Sequence, residues 1–285
     1  MRPKMELSWS VLVPYAITHA LCLGVFFTGA CMRDLVLWVG SFLIRMLGLS
    51  IGYHRYFAHR SFKTGRGMQF ALALLAVLAM QRGPLWWAQT HRAHHRHTDT
   101  PKDIHSPKHR GFAYAHWGWF MNRRHFETRL EDVPDLACYP ELVWLNDWRG
   151  YILPMGLYIG AILLVGGVSG LIWGYAISTV MLFHLTHWIQ SMSHCFGGYR
   201  RFPTRDSSRN HLFIGFLSLG EWHNNHHFYP SSARQGYTWW ELDVGYWVLR
   251  ALQAVRLVWD VRVIPDHVAR SRKTLREIDS PVHGS

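Results

Sequence analysis

His91-Arg92-Ala93-His94-His95 decides how this chain is read, because its histidine spacing returns at His223-Asn224-Asn225-His226-His227. On a helix of ~3.6 residues per turn, positions i, i+3 and i+4 fall within roughly 100° of one another, so each cluster is expected to aim three imidazoles at one point. Six imidazoles at matching offsets would repel one another if protonated and gain little if merely solvated. Metal binding explains them. Upstream stand His54 and His59. A spacing of five puts them roughly 140° apart on a helix, so either the helix ends between them or the two address different ions. The clusters hold eight histidines, two, three and three. That exceeds the ligand set of one tetrahedral zinc ion and makes a two-metal centre the simpler reading. The other histidines, His19, His105, His116, His184 and His187 among them, are read as ordinary polar residues at wet interfaces.

Composition sets these clusters in a lipid context. The 285 residues are 49% hydrophobic, with 15 Trp, 15 Phe and 12 Tyr, an aromatic excess that favours membrane interfaces. A mean hydropathy of -0.03 averages apolar runs with basic, histidine-rich stretches. The four cysteines show no C-x-x-C spacing and no disulfide pattern, which fits a reducing compartment.

The apolar runs come in pairs. Trp9 to Ala30 carries no Asp, Glu, Lys or Arg over 22 positions, enough at ~1.5 Å per residue to span a bilayer. It is read as an anchor and not as a cleaved leader with Arg2 and Lys4 as its basic region. After a short turn at Arg33-Asp34, Leu35 to Tyr53 forms a second span whose Arg45 is expected to face protein or water. Met68 to Met80 is only 13 residues long, and a full crossing there would part the histidine clusters, so it is read as a re-entrant or interfacial helix. Tyr151 to Gly167 and Leu171 to Gln190 give a second hairpin, turned at Val168-Ser169-Gly170. Tyr237 to Val261 reads as an interfacial helix, and the last two dozen residues as a frayed tail.

The expected fold is therefore an all-α membrane protein of four transmembrane helices in two hairpins, residues 1–53 and 150–194. A cytosolic helical cap, residues 54–149 and 195–285, carries the histidines. Of the 30 Lys and Arg, 14 lie in residues 54–149 and 12 in 195–285, so the positive-inside rule makes both cap segments and both termini cytoplasmic. Nucleic-acid binding is the other meaning of a +12 charge, but no recognition module accompanies it.

With the clusters placed, the pattern resembles the integral-membrane fatty acyl desaturases of the stearoyl-CoA desaturase type. Three boxes match in order: His54-Arg55-Tyr56-Phe57-Ala58-His59 as H-x4-H, then HRAHH at 91–95 and HNNHH at 223–227. Arg110-Gly111-Phe112 and His116-Trp117-Gly118-Trp119 look like the family's linker after the second box. The resemblance implies two irons held by nine histidines: His54, His59, His91, His94, His95, His223, His226, His227 and, at the end of the fourth span, His194. It also implies O2 as co-substrate and a cis double bond set into a saturated acyl chain, acyl-CoA and the delta-9 position being the first expectation. No haem or flavin domain is read in the chain, so a separate electron-transfer protein on the cytoplasmic face is implied.

Three positions depart from the family pattern. Gln190 stands where an Asn usually holds a metal-bound water, making it a candidate in the shell behind the ligands. Gly220-Glu221-Trp222 approaches the third box one residue short. Gln89 replaces an Arg that contacts CoA in animal enzymes, while Arg123 and Arg124 persist as candidates to meet phosphates and Trp87 as a tunnel residue. A di-iron hydroxylase or ketolase shares this fold and differs in product. A histidine-rich metal transporter or sensor would instead place its ligands near the bilayer midplane.

Overall fold

The computed structural model describes residues 5–269 and is mostly helical. Three of its helices are long and apolar enough to cross a membrane: Trp9–Thr28, Met32–Ala58 and Trp148–His194. The first comprises α1 (Trp9–Cys22) and α2 (Val25–Thr28). Helix α3 (Met32–Leu47) begins before the expected Arg33-Asp34 turn and takes both residues in, because Asp34 caps it by accepting from the Cys31 N–H at 3.1 Å.

Helix α3 continues without a break as π-helical turns over Gly48–Ala58. This segment is buried all round and places His54 in the interior. Arg45 does face protein: its guanidinium donates to Ser178 Oγ at 2.6 Å and Thr179 Oγ1 at 2.8 Å. A glycine is needed at 48, where a Cβ would stand 2.5 Å from Leu75 O; the segment packs there directly on the backbone of α4 (Arg66–Val77).

Helix α5 (Pro84–His97) opens on a proline, which needs no helical N–H partner at that position, and carries the second box. The long apolar segment 148–194 is two helices folded back on each other. Tyr158 Oη donates to Gly174 O at 3.1 Å, whereas sixteen residues of straight helix would hold them roughly 24 Å apart. The break is Gly167, at φ 61°, just before the expected Val168-Ser169-Gly170 turn. This gives α6 (Trp148–Gly170), π-helical turns over Leu171–Ile177, and α7 (Ser178–Ser191).

The third box lies on the short helix α8 (His223–Phe228). The expected helix 237–261 is shorter, α9 (Val244–Ala254), because Asp243 caps it by accepting from the Tyr246 N–H at 2.9 Å. Beyond it β2 (Val258–Trp259) pairs antiparallel with β1 (Lys63–Thr64), with Lys63 opposite Trp259. The pairing closes the far end of the chain onto the segment just after the first box. Most of the frayed-tail reading lies outside the described residues.

Candidate metal centre

The nine histidines of the expected ligand set gather in two groups. His54, His59, His91, His95 and His226 each offer a ring nitrogen within 4.8 Å of the others, and so do His94, His194, His223 and His227. Each HxxHH cluster therefore divides instead of aiming at one point. On a helix i and i+4 lie ~40° apart, while i+3 falls ~60° to the other side of i. His91 and His95 enter the first group and His94 the second; His223 and His227 enter the second and His226 the first. The two boxes feed both groups in opposite senses.

The first box joins through its unusual backbone. The His59 N–H meets His54 C=O at 3.2 Å, an i→i+5 bond, so five residues make one turn of a π-helix and both side chains reach the same group. The helix also ends between them, as one of the two expected alternatives had it, at Ala58 with His59 as its C-cap.

The nitrogens are arranged as ligands and not as hydrogen-bond partners. His226 Nε2 lies 2.9 Å from His54 Nε2, 3.0 Å from His59 Nε2 and 3.0 Å from His95 Nε2. One nitrogen holds one lone pair or one proton and cannot satisfy three partners. In the second group, His227 Nε2 is buried with no partner, and His223 Nε2 stands 2.7 Å from His194 Nε2. A cation addressed by all these lone pairs resolves both arrangements, so the residues fit a pair of metal ions.

Behind the imidazoles stand carboxylates. Glu221 Oε2 is 2.5 Å from His54 Nδ1, Asp103 Oδ2 3.1 Å from His94 Nδ1 and Asp206 Oδ2 2.8 Å from His227 Nδ1. Asp99 Oδ1 lies 3.6 Å from His194 Nδ1. Glu221, Asp103 and Asp206 lie within hydrogen-bond reach and can each fix a tautomer that leaves Nε2 as the donor to metal, whereas Asp99 faces His194 as a charge. Burial would raise the Glu221 carboxyl, but Arg55 and His54 outweigh it and hold it at about 2. Asp99 is held at about 2 in the same way, by His194 and Ser207 against burial. Burial, reinforced by neighbouring imidazoles, pushes His59, His91, His95, His223 and His226 well below the ordinary value, the neutral form that binds metal.

Several of these partners escaped the reading of the sequence. Asp99, Asp103 and Asp206 lie in loops with no periodic signal, and His105, taken for an ordinary polar residue, packs 4.3 Å from the His94 ring. His19, His184 and His116 stay outside both groups and form their own chain, with N···N contacts of 3.1 and 3.0 Å.

Two cavities meet at the histidines. A small one of about 40 Å³ lies among His54, His91, His94, His223 and His226, with room for a water-sized molecule. A larger one of about 370 Å³ runs between α1 and α7 past Val11, Tyr15, Phe120 and Phe183. Gln81, Trp87, His91, His105 and Gln190 line both. Trp87 stacks on His91 at 4.7 Å, and Gln190 presents a buried Oε1 with no partner. Arg124 is occupied by Glu6 at 2.7 Å, while Arg123 is exposed.

Two histidine groups that could each hold a metal ion, beside a larger cavity on a scaffold of long apolar helices, fit the class of membrane-associated enzymes. Comparison with known proteins gives the particular family. The family described as Fatty acid desaturase matches residues 33–261. The chain is 35% identical over 260 residues to the sn-2 palmitoyl-lipid 9-desaturase of Nostoc sp. (strain 36), covering 88% of this chain and 89% of that protein. It is 37% identical to Delta-9 acyl-lipid desaturase 2 of Arabidopsis thaliana (84% and 78% covered) and 34% identical to Acyl-CoA 5-desaturase AL21 of Anemone leveillei (90% and 80% covered). The chain belongs to the fatty acid desaturase family and is a fatty acyl desaturase, an oxidoreductase.

Proposed function

We propose that this enzyme sets a cis double bond at the delta-9 position of a saturated acyl chain, using O2 and a di-iron centre. His54, His59, His91, His95 and His226 hold one iron, and His94, His194, His223 and His227 the other. The observation that carries this reading is the convergence of His54, His59 and His95 on His226 Nε2, a geometry that hydrogen bonds cannot satisfy. Bound iron supplies what no side chain can, the reductive activation of O2 needed to take hydrogen from an unactivated methylene.

The protein's part is placement. The larger cavity holds the acyl chain, and Trp87 and Gln190, on the wall between the cavities, set which carbons face the centre. The buried Gln190 Oε1 is free to accept from a water between the metals and the substrate. Glu221, Asp103 and Asp206 keep the ligand rings in register. Delta-9 follows the positions named for the Nostoc and Arabidopsis relatives. Electrons come from a separate carrier protein docking on the cytoplasmic face.

The same proposal includes the topology: four spans, Trp9–Thr28, residues 35–53 of the Met32–Ala58 helix and the two arms of 148–194, with both termini and all histidine boxes cytoplasmic. The fold-back at Gly167 and the concentration of Lys and Arg in 54–149 and 195–285 support it. Expression in a desaturase-deficient host tests the function. Fatty acids two hydrogens lighter, unsaturated at carbon 9, are expected; products heavier by one oxygen would show a hydroxylase instead.

A further inference from the structure

The larger cavity reaches the protein surface. Its outer wall is Ser10 and Pro14 of α1 on one side and Ile152 of α6 on the other, all exposed, Ile152 by 53%. Helix α1 packs on Leu171–Ile177 and α7, whereas α6 packs on α3 and Leu171–Ile177, and it is α2, beyond the far end of α1, that meets α6. The first turns of α1 and α6 therefore flank a slot that leads from the protein surface to Trp87 and His91.

The depth of that slot is marked. Trp9 opens α1 and Trp148 opens α6, 69% and 57% exposed, as tryptophans do at a membrane–water boundary. Ser10 and Ile152 come within the next turn, so the slot begins just inside the headgroup level.

A cation waits there. The Arg82 guanidinium lines the same cavity, 3.4 Å from the centre of the Phe126 ring and 5.1 Å from that of Trp86. Among the described residues no carboxylate lies within ion-pair distance of it. Burial lowers its pKa to about 10, which leaves it charged at neutral pH. A partly desolvated guanidinium held by rings and facing a cavity lacks an anion, and one brought by the substrate would complete it.

We propose that the cavity is a lateral slot for an acyl chain of an intact membrane phospholipid, which enters between the first turns of α1 and α6 and rests its phosphate on Arg82. The inference builds on the desaturase reading and adds the substrate's carrier: the chain arrives esterified in the bilayer, not as a thioester from water.

The test offers both carriers at once. Full-length protein in nanodiscs containing deuterated dipalmitoyl phosphatidylglycerol receives carbon-13 palmitoyl-CoA, reductant and electron carrier, and mass spectrometry assigns each double bond to its label. Unsaturated deuterated phospholipid, with the thioester unchanged, is expected. Conversion of the thioester alone would overturn the slot and leave the desaturase reading standing. If neither is converted, native mass spectrometry of the same particles decides. Retained phospholipid upholds the slot, and retained thioester, or no ligand, overturns it. Arg82→Gln is expected to raise the apparent KM for the phospholipid about tenfold with kcat little changed. Ile152→Trp, which fills the opening, is expected to slow phospholipid turnover at unchanged iron content. An unchanged KM for the phospholipid in Arg82→Gln would overturn the headgroup role.

Discussion

Asp206 Oδ2 lies 2.8 Å from Nδ1 of His227, while Nε2 of the same ring is buried without a partner. The carboxylate fixes the proton on the far nitrogen and leaves the near lone pair to metal. Asp206→Ala is expected to lower metal affinity about 10–100-fold at the group of His94, His194, His223 and His227. Titration of metal-stripped protein with ferrous iron measures it, and an unchanged affinity would mean that Asp206 has no such role.

Arg55 is fully buried between two carboxylates, bonded to Glu221 Oε1 and 3.0 Å from Asp243 Oδ1. Removing the guanidinium leaves both acids buried with their charges uncompensated. Arg55→Met is expected to cost about 3–5 kcal/mol of stability and to loosen His54, which Glu221 holds. Thermal unfolding in detergent with and without metal reads both effects; a variant as stable as the parent would show the network to be dispensable.

Gly48 lets the π-helical segment approach α4, since a Cβ there would meet Leu75 O at 2.5 Å and Leu75 C at 2.7 Å. Backbone cannot move aside as a side-chain tip can. Gly48→Ala is expected to destabilise the protein by about 1–3 kcal/mol and to displace the first box. Gly40→Ala, where a Cβ meets nothing within 4 Å, is the control and is expected to be neutral.

The HxxHH spacing made the candidate residues legible but not their grouping: the ~100° spread taken as one target instead parts the i+3 histidine of each box from its i and i+4 neighbours. What stayed hidden has physical causes. The first box depends on an i→i+5 helix, and a backbone hydrogen-bond pattern leaves no mark in the apolar periodicity of Gly48–Ala58, which is buried on every side. The carboxylates behind the rings come from loops: Asp99 meets His194 across 95 residues, a pairing made only by the tertiary fold. The helix around Trp247 was overdrawn because exposed tryptophans continue on both sides of it, at Trp239 and Trp259, where the chain is turn and strand.

His125 supplies a pH dependence away from the metal groups. Burial, then Arg110 and Arg124, pushes its imidazole from 6.5 to about 4, while its Nε2 sits 3.0 Å from Tyr114 Oη. Above pH 6.5 the ring is neutral both folded and unfolded and costs nothing. As pH falls from 6.5 towards 4 the unfolded chain takes up a proton that the folded one refuses, so stability is lost over that window. Unfolding temperatures from pH 7 to 4 are expected to fall less steeply for His125→Gln than for the parent. Parallel curves would place the titration elsewhere.

The paired metal centre is tested most directly by iron content measured alongside activity on the same purified protein. Two irons per chain are predicted, with activity lost on chelation and restored by ferrous iron. Full desaturase activity at well under one iron per chain would contradict the account.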